Sequence, residues 1–344
     1  MKKILLTGSN GFLGEEIFNE LKHYYEFILL DKDENQFNSS IDNTIFYKID
    51  IRDKNQLIKI FQDHKIDIIL HCAAELLDEK NSNKVWETNY NGTNNLLDLA
   101  NDYKVEKFIF TSTFSLFEKN YDTPINEKEL PSAIVDYGKS KYAAENLILR
   151  HNYSGDIIIF RCPVIIGKKR LDKLAILFEM IRENVTIWMI GDGSNQIHFI
   201  YSKDLIEAMK LSFGLKGKHL FNIGSDNIKN LKNTFISLLK HADHKGKIRH
   251  MPKMLGIFGL KFLHLLGVIS LGPYHQRMLV SNIVLDTQRI KDKLKWEPKF
   301  SNDEMLKECY DYYLKTIDEK KHLTASKKLP NLKIIKLLKL FSFS

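Results

Sequence analysis

Thr7-Gly8-Ser9-Asn10-Gly11-Phe12-Leu13-Gly14 follows the apolar run Ile4-Leu5-Leu6 and precedes a helical pattern. Strand, glycine turn and helix, in that order, are the setting in which such a string cradles a dinucleotide. Gly8 permits the tight turn, and Gly11 lets the backbone close on a pyrophosphate. Gly14 lets the helix pack against the strand. The free N–H groups of the helix start and the positive end of its dipole then face the phosphates.

Working outward, apolar runs alternate with helical patterns. Ile4–Leu6, Phe27–Leu30, Ile45–Ile49, Ile66–His71, Lys107–Phe110 and Ile157–Phe160 read as short buried strands. Helical stretches lie between most of them, near 12–24, 53–63, 84–102 and 137–151. This alternation predicts an α/β fold, a Rossmann-type doubly wound parallel sheet. Ligands in such sheets bind at the carboxyl ends of the strands. The expected division is a dinucleotide-binding domain over 1–165, rejoined by segments near 195–225. A smaller, mostly helical substrate region spans 166–315, and a basic amphipathic tail spans 316–344.

The 344 residues are 44% hydrophobic and 27% charged, an ordinary globular composition. Cys72, Cys162 and Cys309 are too few and too scattered for a disulfide frame or a metal cluster. A reducing, cytoplasmic compartment is expected, and a signal peptide is not expected ahead of the first strand. The net charge of +8 is concentrated: residues 320 to 344 hold seven lysines and no acid, so the rest carries only +1. A nucleic-acid partner would need a basic face on the body, and that class is set aside.

The second strand ends at Asp31, about 20 residues past the turn. A carboxylate there accepts hydrogen bonds from both adenosine ribose hydroxyls and repels a 2′-phosphate, which favours NAD over NADP. Lys32, the next residue, acts against that preference. Asp50-Ile51 follows the third strand, beside the adenine or, for Asp50, as the N-cap of the next helix. His71-Cys72-Ala73-Ala74 closes the fourth strand with small side chains that let backbone lie against the cofactor. His71, without a ligand set, reads as packing or a hydrogen bond. The fifth strand ends Thr111-Ser112-Thr113. Tyr137 and Lys141 then open a helix on one face, at i and i+4. A tyrosine serving as base must drop from about 10 to about 7, ~4 kcal/mol. An ammonium one turn away, with an oxidised nicotinamide nearby, supplies much of that. Thr113 would hold the substrate oxygen while Tyr137 moves its proton.

These pieces together resemble the extended short-chain dehydrogenase/reductase superfamily, the NAD-dependent epimerase/dehydratase group. The match runs through the glycine string, Asp31, Asp50-Ile51, Asn89-Tyr90-Asn91-Gly92-Thr93, Thr111-Ser112-Thr113 and Tyr137-Gly138-Lys139-Ser140-Lys141. It continues in Arg161-Cys162-Pro163, Gly191-Asp192-Gly193, Asp204-Leu205 and Leu294-Lys295-Trp296-Glu297-Pro298, so it spans residues 1 to about 315. The resemblance implies a catalytic trio of Thr113, Tyr137 and Lys141. It implies cofactor contacts from Gly8, Gly11, Phe12, Leu13, Gly14, Asp31, Asp50, Ile51, Ala73, Ala74, Asn89, Tyr137, Lys141 and Pro163. A homodimer and a small-molecule, nucleotide-linked sugar substrate are expected with it.

The departures concern the substrate. Dehydratases of this group carry Thr-Asp-Glu after the fifth strand. Here the triplet is Thr113-Phe114-Ser115, and no dehydratase activity is expected. Val164 stands where sugar-nucleotide epimerases usually carry Asn, and Ile197 where they carry a phosphate-binding Arg. An apolar residue cannot repay phosphate desolvation. Arg277 falls near a second family arginine. The Gly191-to-Phe199 segment also resembles relatives of 3β-hydroxysteroid dehydrogenase and dihydroflavonol reductase. An apolar or lipid-linked alcohol is therefore the alternative substrate, and a non-catalytic NAD sensor is a third reading. The apolar stretch Met254 to Leu271, broken by Lys261 and His264, reads as a buried or substrate-lining helix pair, with a membrane-facing surface as the alternative. In the tail, Lys333, Lys336 and Lys339 form a basic stripe. That stripe suits an anionic membrane through 330–344 or a docked helix.

Overall fold

The structure, a computed structural model, describes residues 1–37, 43–76, 81–171, 174–265 and 279–318. Arg277 and the tail 330–344, and with them those two expectations, lie outside the described residues.

Seven parallel strands form the central sheet: β1 (Lys3–Thr7), β2 (Glu26–Asp31), β3 (Thr44–Lys48), β4 (Ile68–His71), β5 (Lys107–Thr113), β6 (Asp156–Cys162) and, joining later in the chain, β10 (Lys218–Asn222). Their spatial order is β10-β6-β5-β4-β1-β2-β3. Strand order reverses between β1 and β4, which opens a crevice at their carboxyl ends. The strands read as unbroken apolar runs because both faces are covered. Ile4 and Leu6 of β1 enter one core, and Leu5 enters the other. Phe27 and Leu29 likewise part from Ile28 and Leu30, and Ile158 and Phe160 from Ile157 and Ile159.

The first core is closed by helices α1 (Phe12–Leu21), α7 (Ser202–Ser212) and α10 (Gln288–Leu294). The second is closed by α2 (Lys54–Asp63), α4 (Thr93–Asp102) and α5 (Asp136–Arg150). The helical stretch expected over 84–102 is three pieces: α3 (Ser82–Trp86), a π-helical turn (Glu87–Gly92) and α4. Two two-stranded parallel sheets escaped the sequence reading: β7 (Val164–Ile166) with β9 (Phe199–Tyr201), and β8 (Ile187–Ile190) with β11 (Ile248–Met251). Three helices, α6 (Leu174–Arg182), α8 (Leu231–His241) and α11 (Asn302–Asp318), close a separate core with Phe178, Leu238 and Tyr313. The helix α9 (Lys253–Leu265) lies on β8. No helix among the described residues is long and apolar enough to cross a membrane.

Two distant motifs meet. The Trp296 indole donates to the Asp204 carbonyl at 3.1 Å, and the Asp204 carboxylate accepts from the Lys299 and Phe300 amides. A buried ion pair anchors α5 to the sheet. Arg161 grips Glu145 through three hydrogen bonds of 2.8–3.2 Å, and the Ser112 hydroxyl donates to Glu145 at 2.5 Å. Both charged side chains are buried, so losing one partner strands the other. Arg161→Leu is expected to cost ~3–5 kcal/mol in urea unfolding. The double change Arg161→Met with Glu145→Leu should recover most of that loss. Additive losses in the double variant would reject the pairing.

Candidate active site

The glycine turn is shaped for close backbone approach. Gly8 has φ +72°, and a Cβ there would stand 2.7 Å from the Ala73 amide nitrogen. Only glycine meets both demands. A Cβ on Gly11 would meet nothing nearer than the Gly8 carbonyl at 3.1 Å. Gly14 differs from its expected role: a Cβ there would meet the Gly8 carbonyl at 2.2 Å and Ser9 Cα at 2.8 Å. It seats the first helical turn on the loop itself, not on the strand. Gly11 gives α1 no side-chain cap, so the first-turn amides and the helix dipole face the crevice. Within the same loop Ser9 Oγ and Asn10 Oδ1 are buried without a hydrogen-bond partner. Buried polar atoms of that kind want a ligand or water, and this loop fits a pyrophosphate.

Leu13 points into the core, so only its backbone borders the turn. Phe12 lies under Gly167, where a Cβ would come within 2.4 Å of its ring, and the Arg170 guanidinium sits 5.8 Å from the ring centroid. Asp31 is buried. Its carboxylate accepts from the Asn10 amide at 2.9 Å and the Asp33 amide at 3.1 Å, and burial raises its pKa. Lys32 is drawn off to Glu75 at 2.7 Å, so the cation feared as a 2′-phosphate partner is already neutralised.

Asp50 is not the N-cap of α2. Asp53 takes that role, accepting from the Gln56 amide at 3.1 Å. Asp50 instead pairs with Arg52, which also reaches Glu87. Ile51 is buried against Gly92 of the π-turn, where any Cβ would meet its side chain at 2.6 Å. Asn89, in the same turn, spends its whole amide on the protein. Its oxygen accepts from the Glu75 amide, and its nitrogen donates to the Glu75 carbonyl and to Ser140 Oγ, all within 2.8–3.0 Å. Ser140 in turn donates to the Tyr137 carbonyl at 2.9 Å. Asn89 therefore braces the Ala74–Glu75 loop and the start of α5, and it does so from a π-turn, a feature common at functional sites. His71 is a buried hydrogen-bonding residue, as expected: Nδ1 meets Thr7 Oγ1 at 2.7 Å and Nε2 meets Thr93 Oγ1 at 2.9 Å.

Thr113, Tyr137 and Lys141 converge at the carboxyl edge of β5. The Tyr137 phenol is hydrogen-bonded to Thr113, whose hydroxyl also meets Ser115 at 3.0 Å. Lys141 is 2% exposed, with Nζ 3.8 Å from the Phe110 ring centroid. No acceptor among the described residues takes a hydrogen bond from it. Burial pushes the Tyr137 phenol above its ordinary value; the Thr113 hydrogen bond and the Arg170 charge pull against it. Lys141 spends its charge differently: desolvation lowers its own pKa from 10.5 to about 8. Arg170 and Glu145 were not named from sequence, and Ser112 and Arg161 were quoted within motifs without a role. Glu145 could have been, since Tyr137, Lys141 and Glu145 form one i, i+4, i+8 stripe.

Of the substrate candidates, Phe114 and Ser115 are buried. Phe114 packs with Leu116, Phe117, Ile283 and Leu285, and Val164 borders that cluster. Ile197 bridges to Ile283 and packs on the C-terminal core, far from an anion-binding role. Pro163 is buried between β6 and β7. Tyr121, packed on the Phe114 cluster, also lines a polar cavity of about 330 Å³ with Asn120, Asp122, Ser194, Gln196 and Lys253.

The NAD dependent epimerase/dehydratase family matches residues 4–224. The chain belongs to that family. An uncharacterised Sinorhizobium fredii protein, y4nG, is 28% identical over 91% of this chain and 79% of its own length. A dTDP-D-glucose 4,6-dehydratase from Dictyostelium discoideum is 32% identical over 66% of this chain and 59% of that protein. The UDP-glucose 4-epimerase of Thermotoga maritima, solved with UDP-glucose, superposes with a TM-score of 0.74 at 25% identity, covering 92% of this chain and 99% of that one.

The buried ammonium has a measurable cost. Below pH 8 Lys141 is charged and desolvated in the fold, which opposes folding; the penalty fades as pH rises from about 8 to 10.5. Lys141→Met is therefore expected to raise stability at pH 7 by roughly 3 kcal/mol and by almost nothing at pH 10.5. Urea unfolding of both proteins at the two pH values measures it, and an equal gain at both would reject a buried cation.

Proposed function

We propose that the chain is an NAD-dependent epimerase or dehydrogenase acting at a secondary alcohol of a nucleotide-linked sugar. The observation that carries this reading is the convergence of Thr113, Tyr137 and a desolvated Lys141 at the sheet edge beside the glycine loop. NAD, when bound, supplies hydride exchange. Gly8, Gly11 and the first-turn amides of α1 would hold its diphosphate, and Asp31 its adenosine ribose. Lys141 Nζ would donate to the nicotinamide ribose hydroxyls, which explains a buried ammonium without an acceptor. Thr113 Oγ1 holds the substrate oxygen, and Tyr137 Oη moves the proton to or from it. Bound nicotinamide and Lys141 together must lower the phenol, because the remaining groups leave it raised.

Dehydratase chemistry is excluded from the proposal. The two positions after Thr113 hold buried Phe114 and Ser115, so no carboxylate follows the trio. A second reading, an apolar or lipid-linked alcohol, draws support from Val164 and Ile197, whose surroundings are apolar clusters. A cofactor-sensing protein without turnover would use Lys141 for the nicotinamide ribose but would have no use for a phenol paired with Thr113 at the sheet edge.

Tyr137→Phe is expected to cut turnover by about 10²–10⁴-fold while NAD binding, read by calorimetry, stays within about threefold. Turnover of UDP-glucose with no net NADH would support the epimerase. Net NADH formed from an apolar alcohol but not from UDP-sugars would support the second reading. Retained turnover in Tyr137→Phe would overturn both. Release of a dehydrated keto-sugar from dTDP-glucose would overturn the exclusion.

A further inference from the structure

In sequence the stretch from Met254 reads as buried or substrate-lining, with a membrane-facing surface as the alternative; over α9 it is not buried. One side packs on β8: a Cβ on Gly256 would stand 2.8 Å from Ile190 Cγ1. The other side is bare and apolar. Met254 is 87% exposed, Phe258 69%, Leu255 59% and Phe262 54%. At 3.6 residues per turn these four fall within an arc of about 100°, roughly opposite Gly256. A helix facing water carries polar residues on such an arc. Trp188 extends the patch. It shares the Ile190 face of β8 by the period of two, is exposed, and lies 5.6 Å from the Arg249 guanidinium on the paired strand.

The charges beside the apolar arc are positive: Lys261 is exposed on α9 next to it, and the Arg249 guanidinium stands over Trp188. Lys253, on the far side of the helix, lies instead beside Gly191 and Asp192. A second copy docking here by two-fold symmetry would set these cations against each other, which is unfavourable. Anionic headgroups would pair with them while Phe258, Phe262 and Trp188 entered the headgroup boundary.

We infer that α9 and Trp188 form a docking surface for an anionic lipid bilayer. Lys253, the first residue of α9, also lines the 330 Å³ polar cavity. The cavity therefore lies at the start of α9, on the side away from the apolar arc.

Vesicle sedimentation of the full chain tests this. Wild type is expected to pellet with phosphatidylcholine vesicles containing about 30 mol% phosphatidylglycerol, and at least about tenfold less with phosphatidylcholine alone. Phe258→Asp with Phe262→Asp should lose about tenfold of the binding, at unchanged circular dichroism and melting temperature. Arg249→Glu with Lys261→Glu should erase the preference for anionic vesicles. Wild type left in the supernatant with both vesicles would overturn the proposal. So would an aspartate variant that pellets like wild type, which would move any binding to another segment. Sedimentation velocity in which the aspartate change converts a dimer to a monomer, with vesicle binding unchanged, would assign the face to a second copy instead.

Discussion

The closeness of Gly8 to the backbone of Ala73 governs this molecule. Strands β1 and β4 are neighbours, yet their chains leave the sheet in opposite directions. At the crevice that the reversal of strand order opens, the turn after β1 and the segment after β4 lie so close that a Cβ on Gly8 would stand 2.7 Å from the Ala73 amide nitrogen. A side chain at Gly8 would force these exits apart and spoil the uncapped start of α1. The preference for glycine is doubled by a positive φ. Everything a diphosphate would touch hangs on that approach.

A second constraint works on the other side of the crevice. The helix α5 carries Tyr137 and Lys141 on one stripe, and the next position of that stripe, Glu145, is clamped by Arg161 and Ser112. Asn89 and Ser140 brace the helix start. These contacts fix the helix in rotation and in height, so Lys141 can be held in a place where its charge is disfavoured. A buried ammonium is costly, and rigid anchoring on both ends is what keeps the chain from swinging it into water. The same logic accounts for the lowered Lys141 and the raised Tyr137: desolvation acts on both, in opposite directions for a cation and an anion.

Much of the candidate site was legible from local pattern. The glycine turn, six of the seven central strands and the Tyr137/Lys141 spacing depend on neighbours in sequence, and local sterics or helical period suffice to read them. The readings that shifted depend on partners far along the chain. Gly14 meets the loop, Asp50 yields the cap to Asp53, Asn89 is consumed by Glu75 and Ser140, and Lys32 is claimed by Glu75. Arg170, 33 residues beyond Tyr137 in the chain numbering, was invisible as a neighbour of the phenol because nothing periodic links them. The choice between a buried and an outward-facing α9 stayed open in the sequence for the same reason. Apolar composition signals burial, but only the packing against β8 determines which side of a helix finds a partner.

The sequence alone therefore determined the sheet's alternating elements, the phosphate-ready turn and the family to which the chain belongs. Those features follow from backbone sterics and from side-chain periods of two and 3.6 residues. Tertiary structure alone decided strand order, which groups surround the phenol and ammonium, how charges pair across the crevice, and which apolar face is left to the outside. Those are matters of distance between residues remote in the chain, and desolvation and ion pairing answer to distance.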